Sequence, residues 1–200
     1  MIKKKKIFLH VPKTAGSSLN QTALIQQCHL TIHPILQAGA WEILEKQGNI
    51  DTFKFAFVRN PWDRFVSLYF YFFNMTSTHF AYKYDHQTAA NIKRFKNFED
   101  FCLNFHDFDD RQPFKKFHFF NQHLWTHSQG KCFIDFLGKY ENLDQDVASL
   151  QNIFEIPHEP VPHTNQSEHG DYKNYYNSRT RNVVAEIYKK DIEYFEYKFS

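Results

Sequence analysis

The pattern that most constrains the fold is a strand, a turn and a helix that follow one another twice near the start of the chain. Residues 7–11 are a short apolar run that predicts a buried strand, and a turn at residues 12–16 leads into a helix predicted over residues 17–28. Residues 53–58 predict a second strand, after which Asn60 and Pro61 are suited to start a helix. Alternating strands and helices are typical of an α/β protein with a central, mostly parallel sheet flanked by helices.

The rest of the chain fits the same plan. Residues 132–137 predict a third strand, residues 143–154 a helix, and residues 179–195 a last helix with an apolar stripe. No repeat or linker divides the sequence, so its 200 residues predict a single domain over residues 1–200. Ligands in such sheets bind beyond the carboxyl ends of the strands, which is where both turns fall.

The first turn has the composition of an anion site. Backbone N–H groups at the start of a helix, together with the helix dipole, favour a bound phosphate or sulfate. Gly16 would let the backbone approach the anion closely, and Lys13 adds a positive charge. The segment differs from a Walker A loop, in which the lysine follows the glycine. An ordinary strand-to-helix turn with a serine cap is the alternative interpretation.

The second turn predicts a phosphate site. Arg59 stands at the end of the strand, and its planar guanidinium suits a phosphate. Ser67 lies two turns into the following helix, on the same face as Arg64. The alternative interpretation is that Arg59 and Arg64 are surface residues that form ion pairs around Asp63.

Both turns resemble motifs of one family. Residues 10–19 resemble the 5′-phosphosulfate loop of the carbohydrate sulfotransferases that use 3′-phosphoadenosine-5′-phosphosulfate (PAPS), among them the heparan sulfate 2-O, chondroitin 4-O and HNK-1 enzymes and their bacterial relatives. Residues 59–69 resemble the family's 3′-phosphate motif, in which an arginine and a serine are eight residues apart. Residues 139–143, 163–167 and 188–199 resemble later blocks of the bacterial branch, whereas residues 74–131 match nothing specific.

The resemblance implies a P-loop-like sulfotransferase fold and a set of site residues. Arg59 and Ser67 would bind the 3′-phosphate, and the 5′-phosphosulfate would be bound by Lys13, Thr14, Ala15, Gly16, Ser17 and Ser18. Lys13 would also be catalytic, because it can stabilise charge on the leaving oxygen. A histidine between the two motifs would be the general base. We prefer His33, in a predicted loop, with His29, His118 and His123 as other candidates.

These residues predict a PAPS-dependent sulfotransferase that modifies a hydroxyl group, on a carbohydrate acceptor, and releases 3′-phosphoadenosine-5′-phosphate (PAP). The aromatic and basic residues between 74 and 131 could form the acceptor groove. One alternative is a nucleotide-dependent kinase on a P-loop-like scaffold, although the Walker lysine position is missing. Another is a non-catalytic module that binds PAP or a glycan.

The composition of the chain limits which binding partners and which cellular compartment we expect. The net charge of +2 does not indicate a nucleic-acid partner, and no cysteine or histidine pattern indicates a metal. The three cysteines are odd in number and widely spaced, which favours free thiols. No apolar run approaches the roughly 18 residues of a membrane span. We expect a cytoplasmic bacterial protein without membrane insertion, or a Golgi-luminal one if the sequence belongs to a longer anchored chain; its oligomeric state is not predicted.

Overall fold

The computed structural model of the chain describes residues 5–32, 40–49, 51–110, 116–162 and 169–200. Its strands are β1 (Lys6–Leu9), β2 (Leu30–Ile32), β3 (Phe53–Val58), β4 (His127–Ser128), β5 (Lys131–Cys132) and β6 (Phe136–Lys139). Its helices are α1 (Gly16–Leu19), α2 (Ala23–Gln26), α3 (Ala40–Lys46), α4 (Pro61–Phe73), α5 (Tyr82–Ile92), α6 (Phe98–Leu103), α7 (Phe105–Asp110), α8 (His123–Thr126), α9 (Leu143–Phe154), α10 (Ser178–Ile187) and α11 (Lys189–Phe195). They form two compact units, residues 1–59 with 122–166 and residues 60–121 with 167–200.

The first unit is built on a parallel sheet. Its four strands lie in the order β2-β1-β3-β6, and every neighbouring pair is parallel. The rings of Phe8, Phe55 and Phe57 are fully buried and pack with apolar side chains of α1, α2 and α9. This confirms the predicted α/β class with a central parallel sheet.

Two predicted helices are interrupted. The helix predicted over residues 17–28 is the separate turns α1 and α2, because the Thr22 hydroxyl donates to the Leu19 carbonyl at 2.7 Å and offers the backbone an alternative to a helical bond. The helix predicted over residues 179–195 breaks at Tyr188. The Tyr188 ring is fully buried, and its hydroxyl donates to the Phe119 carbonyl at 2.8 Å, which fixes the residue outside helical geometry.

The third predicted strand is also divided. Cys132 ends β5, which pairs with β4 in a hairpin, and the parallel strand β6 begins only at Phe136. Asp135 explains the division, because its carboxylate accepts the Lys54 backbone N–H and its own N–H donates to the Lys54 carbonyl, both at 2.8 Å. The three-residue strand β2 was not predicted, since it is too short to show a pattern.

The second unit is helical, and its first helix starts where the sequence predicts. The Asn60 side chain accepts the Trp62 N–H at 3.1 Å, and Pro61 is the first helical residue of α4. Asp63 lies in the first turn, where the helix dipole favours a carboxylate.

An aromatic core fills this unit around Phe65 of α4. The Phe65 ring centroid lies 5.2–6.1 Å from five other aromatic rings, those of Phe98, Phe101, Phe105, Phe119 and Tyr188. All of these side chains are buried. The buried phenylalanines Phe98, Phe101, Phe105, Phe108 and Phe119 are therefore core residues and do not line a groove, whereas an acceptor groove from other residues between 74 and 131 stays a prediction.

The remaining predictions on composition concern cysteines and membrane segments. Cys28, Cys102 and Cys132 are free thiols, as predicted. Among the described residues, no helix combines the length and the apolar character that a membrane crossing requires.

Candidate active site

The two predicted turns leave the sheet at the same edge. β1 and β3 are adjacent and parallel, with Leu9 opposite Ala56, so the residues that follow each strand come close together. The Arg59 guanidinium donates through Nη1 to the Lys13 carbonyl at 3.3 Å. The structure thus brings together the two basic residues that the sequence assigns to opposite ends of one ligand.

The loop after β1 has an unusual backbone. Lys13 and Ala15 have φ values of 67° and 69°, in the left-handed region that costs a non-glycine residue roughly 1–2 kcal/mol. Ala15 directly precedes the right-handed helix α1. A left-handed residue followed by a right-handed one directs successive N–H groups to one side, which is the geometry of an anion-binding nest. Because backbone strain of this kind clusters at functional sites, the loop is the best candidate for an anion site.

The helix after this loop is shorter than predicted. α1 is a single turn of four residues, so few peptide dipoles add up at its start. For an anion at this loop, the helix dipole would therefore contribute less than the N–H groups of the nest.

The side chains of the loop differ in their placement. Thr14 is fully buried, and its hydroxyl donates to the Val11 carbonyl at 2.9 Å, so it braces the loop from within. Ser18 is buried and Ser17 is exposed. The two serines thus differ in their access to solvent.

Gly16 has a second reason to be glycine. A Cβ built at Gly16 would lie 1.8 Å from Nε2 of His10, so a larger residue would displace the imidazole. The His10 ring stacks on Phe8 with a centroid distance of 5.7 Å. Sequence reasoning assigned Gly16 only to close approach of an anion and missed this contact.

The pKa of the Lys13 ammonium group is well below its ordinary value. Its side chain keeps some access to solvent, but burial and, to a smaller extent, the positive charge of Arg59 together lower its pKa to about 7. An anion beside the ammonium group would favour the charged form and raise the pKa again. The two cations are thus placed where a multiply charged anion would stabilise both.

Arg59 is held by two residues that sequence reasoning did not single out. Its backbone N–H donates to Oε1 of Gln122 at 2.9 Å, and Nε2 of Gln122 donates to its carbonyl at 2.8 Å. The Arg59 guanidinium carbon lies 4.1 Å from the ring centroid of Tyr140, which follows β6, the strand next to β3. Tyr140 belongs to a block that resembles the family, whereas no sequence feature indicated Gln122.

Ser67 and His33 are the other residues that the sequence predicts for the site. Ser67 is fully buried within α4, in the second unit, and His33 lies outside the described residues.

Arg64 is also fully buried and donates to the carbonyls of His118 and Phe120 at 2.6 and 3.0 Å. Arg59 and Arg64 are both buried, so the alternative interpretation is wrong in making them surface residues. Within the described ranges no cluster of three or more His, Cys, Asp or Glu side chains could hold a metal ion.

Fold and site together define an α/β protein of the P-loop-like class, with a left-handed loop after one strand and a buried arginine after its neighbour. The chain belongs to the sulfotransferase family, whose model matches residues 2–198 and so covers both units, and it is a sulfotransferase enzyme. It is also similar to a protein of Archaeoglobus fulgidus described as uncharacterized, with 27% identity over 139 residues that cover 67% of this chain and 96% of that protein. No solved structure matches the chain.

Proposed function

We propose that this sulfotransferase moves the sulfuryl group of PAPS to a hydroxyl group of a carbohydrate. The observation that carries the proposal is the meeting of Lys13 and Arg59 at the ends of two neighbouring parallel strands. The loop residues 13–18 would bind the 5′-phosphosulfate, and Arg59 with Ser67 would bind the 3′-phosphate. Sulfotransferases in general use PAPS as the sulfate donor, which supports this choice.

The charges of the site suit such a donor. PAPS carries anionic groups at the 5′ and the 3′ position of one ribose, and the site offers two cations whose charges disfavour each other without an anion. A guanidinium can bind a phosphate through two parallel hydrogen bonds, which the ammonium of a lysine cannot do. The 3′-phosphate is also what distinguishes PAPS from ATP, so a dedicated arginine favours PAPS over a kinase substrate.

The transfer itself needs positioning and charge stabilisation more than covalent help. The acceptor oxygen would form a bond to sulfur while the bond between sulfur and the 5′-phosphate oxygen breaks, and PAP would leave. The positive charge of Lys13 would stabilise the negative charge that develops on the leaving oxygen. Ser17 and Ser18 would orient the sulfate oxygens.

The proton of the acceptor hydroxyl requires a base, and we assign this role to His33. A histidine titrates near neutral pH and suits proton transfer under working conditions. The change His33→Ala is therefore expected to lower the rate at saturating acceptor by about 10²–10⁴-fold without changing PAP affinity. His29→Ala is the matched control, because the ring of His29 accepts the Lys6 backbone N–H at 3.2 Å and serves the strand rather than the chemistry. An unchanged rate in His33→Ala would remove His33 from the mechanism.

The proposal is tested by incubating the protein with PAPS labelled in the sulfate and with a panel of glycans. We expect label on a carbohydrate acceptor and release of one PAP for each sulfate transferred. PAP binding without transfer to any acceptor would indicate a non-catalytic module. Phosphate transfer from ATP in a parallel reaction would indicate a kinase.

A further inference from the structure

Arg59 makes more contacts than a phosphate ligand needs. Its guanidinium bonds to the carbonyl of Lys13, which is one of the two strained residues of the loop after β1. A left-handed lysine is unfavourable by itself, so the surrounding structure must hold it in place. The bond from Arg59 is one contact that does so.

The surroundings of Arg59 fix both its backbone and its side chain. Gln122 has no exposed surface and pairs with the N–H and the carbonyl of Arg59, so the end of β3 cannot rotate without breaking two buried hydrogen bonds. Tyr140 presents its ring to the guanidinium at 4.1 Å, a distance at which a cation–π contact is favourable. The same guanidinium contacts the Tyr140 ring and the Lys13 carbonyl.

We infer that Arg59 is a positioning residue for the phosphosulfate loop as well as a ligand of the 3′-phosphate, and that Gln122 and Tyr140 hold it in that position. This inference rests on the proposed donor. It implies that the two ends of the donor site are coupled: disturbing Arg59 weakens binding of the 5′-phosphosulfate even when the ligand has no 3′-phosphate.

Adenosine 5′-phosphosulfate separates the two roles, because it carries the phosphosulfate and lacks the 3′-phosphate. If Arg59 only bound the 3′-phosphate, disturbing it would weaken binding of PAPS and leave binding of adenosine 5′-phosphosulfate unchanged. If Arg59 also holds the loop, both affinities fall.

The test is a titration of both nucleotides, without acceptor, against the wild type and three variants. Tyr140→Leu is expected to weaken both ligands roughly three- to thirtyfold, the range of a lost cation–π contact. Tyr140→Phe keeps the aromatic face and is expected to bind both within about twofold of the wild type. Ser67→Ala is expected to weaken PAPS alone, because Ser67 is assigned to the 3′-phosphate, which adenosine 5′-phosphosulfate lacks.

The outcomes distinguish this inference from the proposed function. A wild type that binds PAPS no better than adenosine 5′-phosphosulfate would reject the proposed donor. A wild type that prefers PAPS, with Tyr140→Leu unchanged toward adenosine 5′-phosphosulfate, would overturn the positioning role alone. Thermal unfolding checks that each variant folds. If Tyr140→Leu does not fold, Arg59→Lys makes the same comparison, because it keeps the charge and loses the planar group that reaches Lys13.

Discussion

Replacing Lys13 with alanine is expected to lower turnover of PAPS by about 10²–10³-fold, the usual effect of removing one group that stabilises charge in the transition state. PAP affinity should change less than turnover, because the backbone N–H groups of the loop and Arg59 would still bind the two phosphates of PAP. Steady-state kinetics with labelled PAPS, together with a PAP titration, measure the two effects separately. Normal turnover in Lys13→Ala would refute the catalytic role.

Stability and pH provide controls for this result. Because the pKa of Lys13 is lowered in the fold from its ordinary value of 10.5 to about 7, the charged lysine destabilises the ligand-free protein below pH 7. This loss of unfolding free energy disappears as the pH rises from about 7 to 10.5. At neutral pH, Lys13→Ala should therefore not unfold more easily than the wild type.

The kcat/KM for PAPS should fall as pH rises through about 7, where Lys13 in the ligand-free enzyme loses its proton. Lys13→Arg, which stays charged, should not show this decline.

The change Phe65→Ala is expected to cost about 3–5 kcal/mol of unfolding free energy, as is typical for a fully buried phenylalanine. Phe65 lies at the centre of the aromatic core. Its removal leaves a cavity bordered by the rings of Phe101, Phe105 and Tyr188. Urea denaturation followed by tryptophan fluorescence and by far-ultraviolet circular dichroism measures the loss.

Phe80→Ala is the matched control for Phe65→Ala. The side chain of Phe80 is 76% exposed, so the same substitution there should stay within about 0.5 kcal/mol of the wild type. Equal and small effects at both positions would contradict the packing of the second unit around Phe65.

Much of the fold could be predicted because the signals were local. The apolar runs of β1 and β3, and the Asn60–Pro61 helix start, are readable from neighbouring residues alone. The break at Tyr188 could not be read in this way, since it depends on a hydrogen bond to Phe119, 69 residues earlier in the chain. The sequence could not decide between core and groove for the aromatic residues for a related reason: composition shows how many rings a segment has, and only packing shows which of them are buried.

In the candidate site, too, some residues could be predicted from local sequence and others depend on contacts between distant parts of the chain. Lys13, Gly16 and Arg59 stand in two recognisable motifs, and parallel strands bring the carboxyl ends of those motifs together. Gln122 is 63 residues from Arg59, and a buried glutamine that clamps a backbone has no sequence signature. The left-handed conformations of Lys13 and Ala15 were likewise hidden, because neither residue type favours that region.

A crystal structure of the protein with PAP would test the central claim most directly. We expect the 5′-phosphate within hydrogen-bonding distance of the backbone N–H groups of the Lys13 loop and the 3′-phosphate on the Arg59 guanidinium. PAP bound away from this edge of the sheet, or with its 3′-phosphate out of reach of Arg59, would contradict the assignment of the donor site.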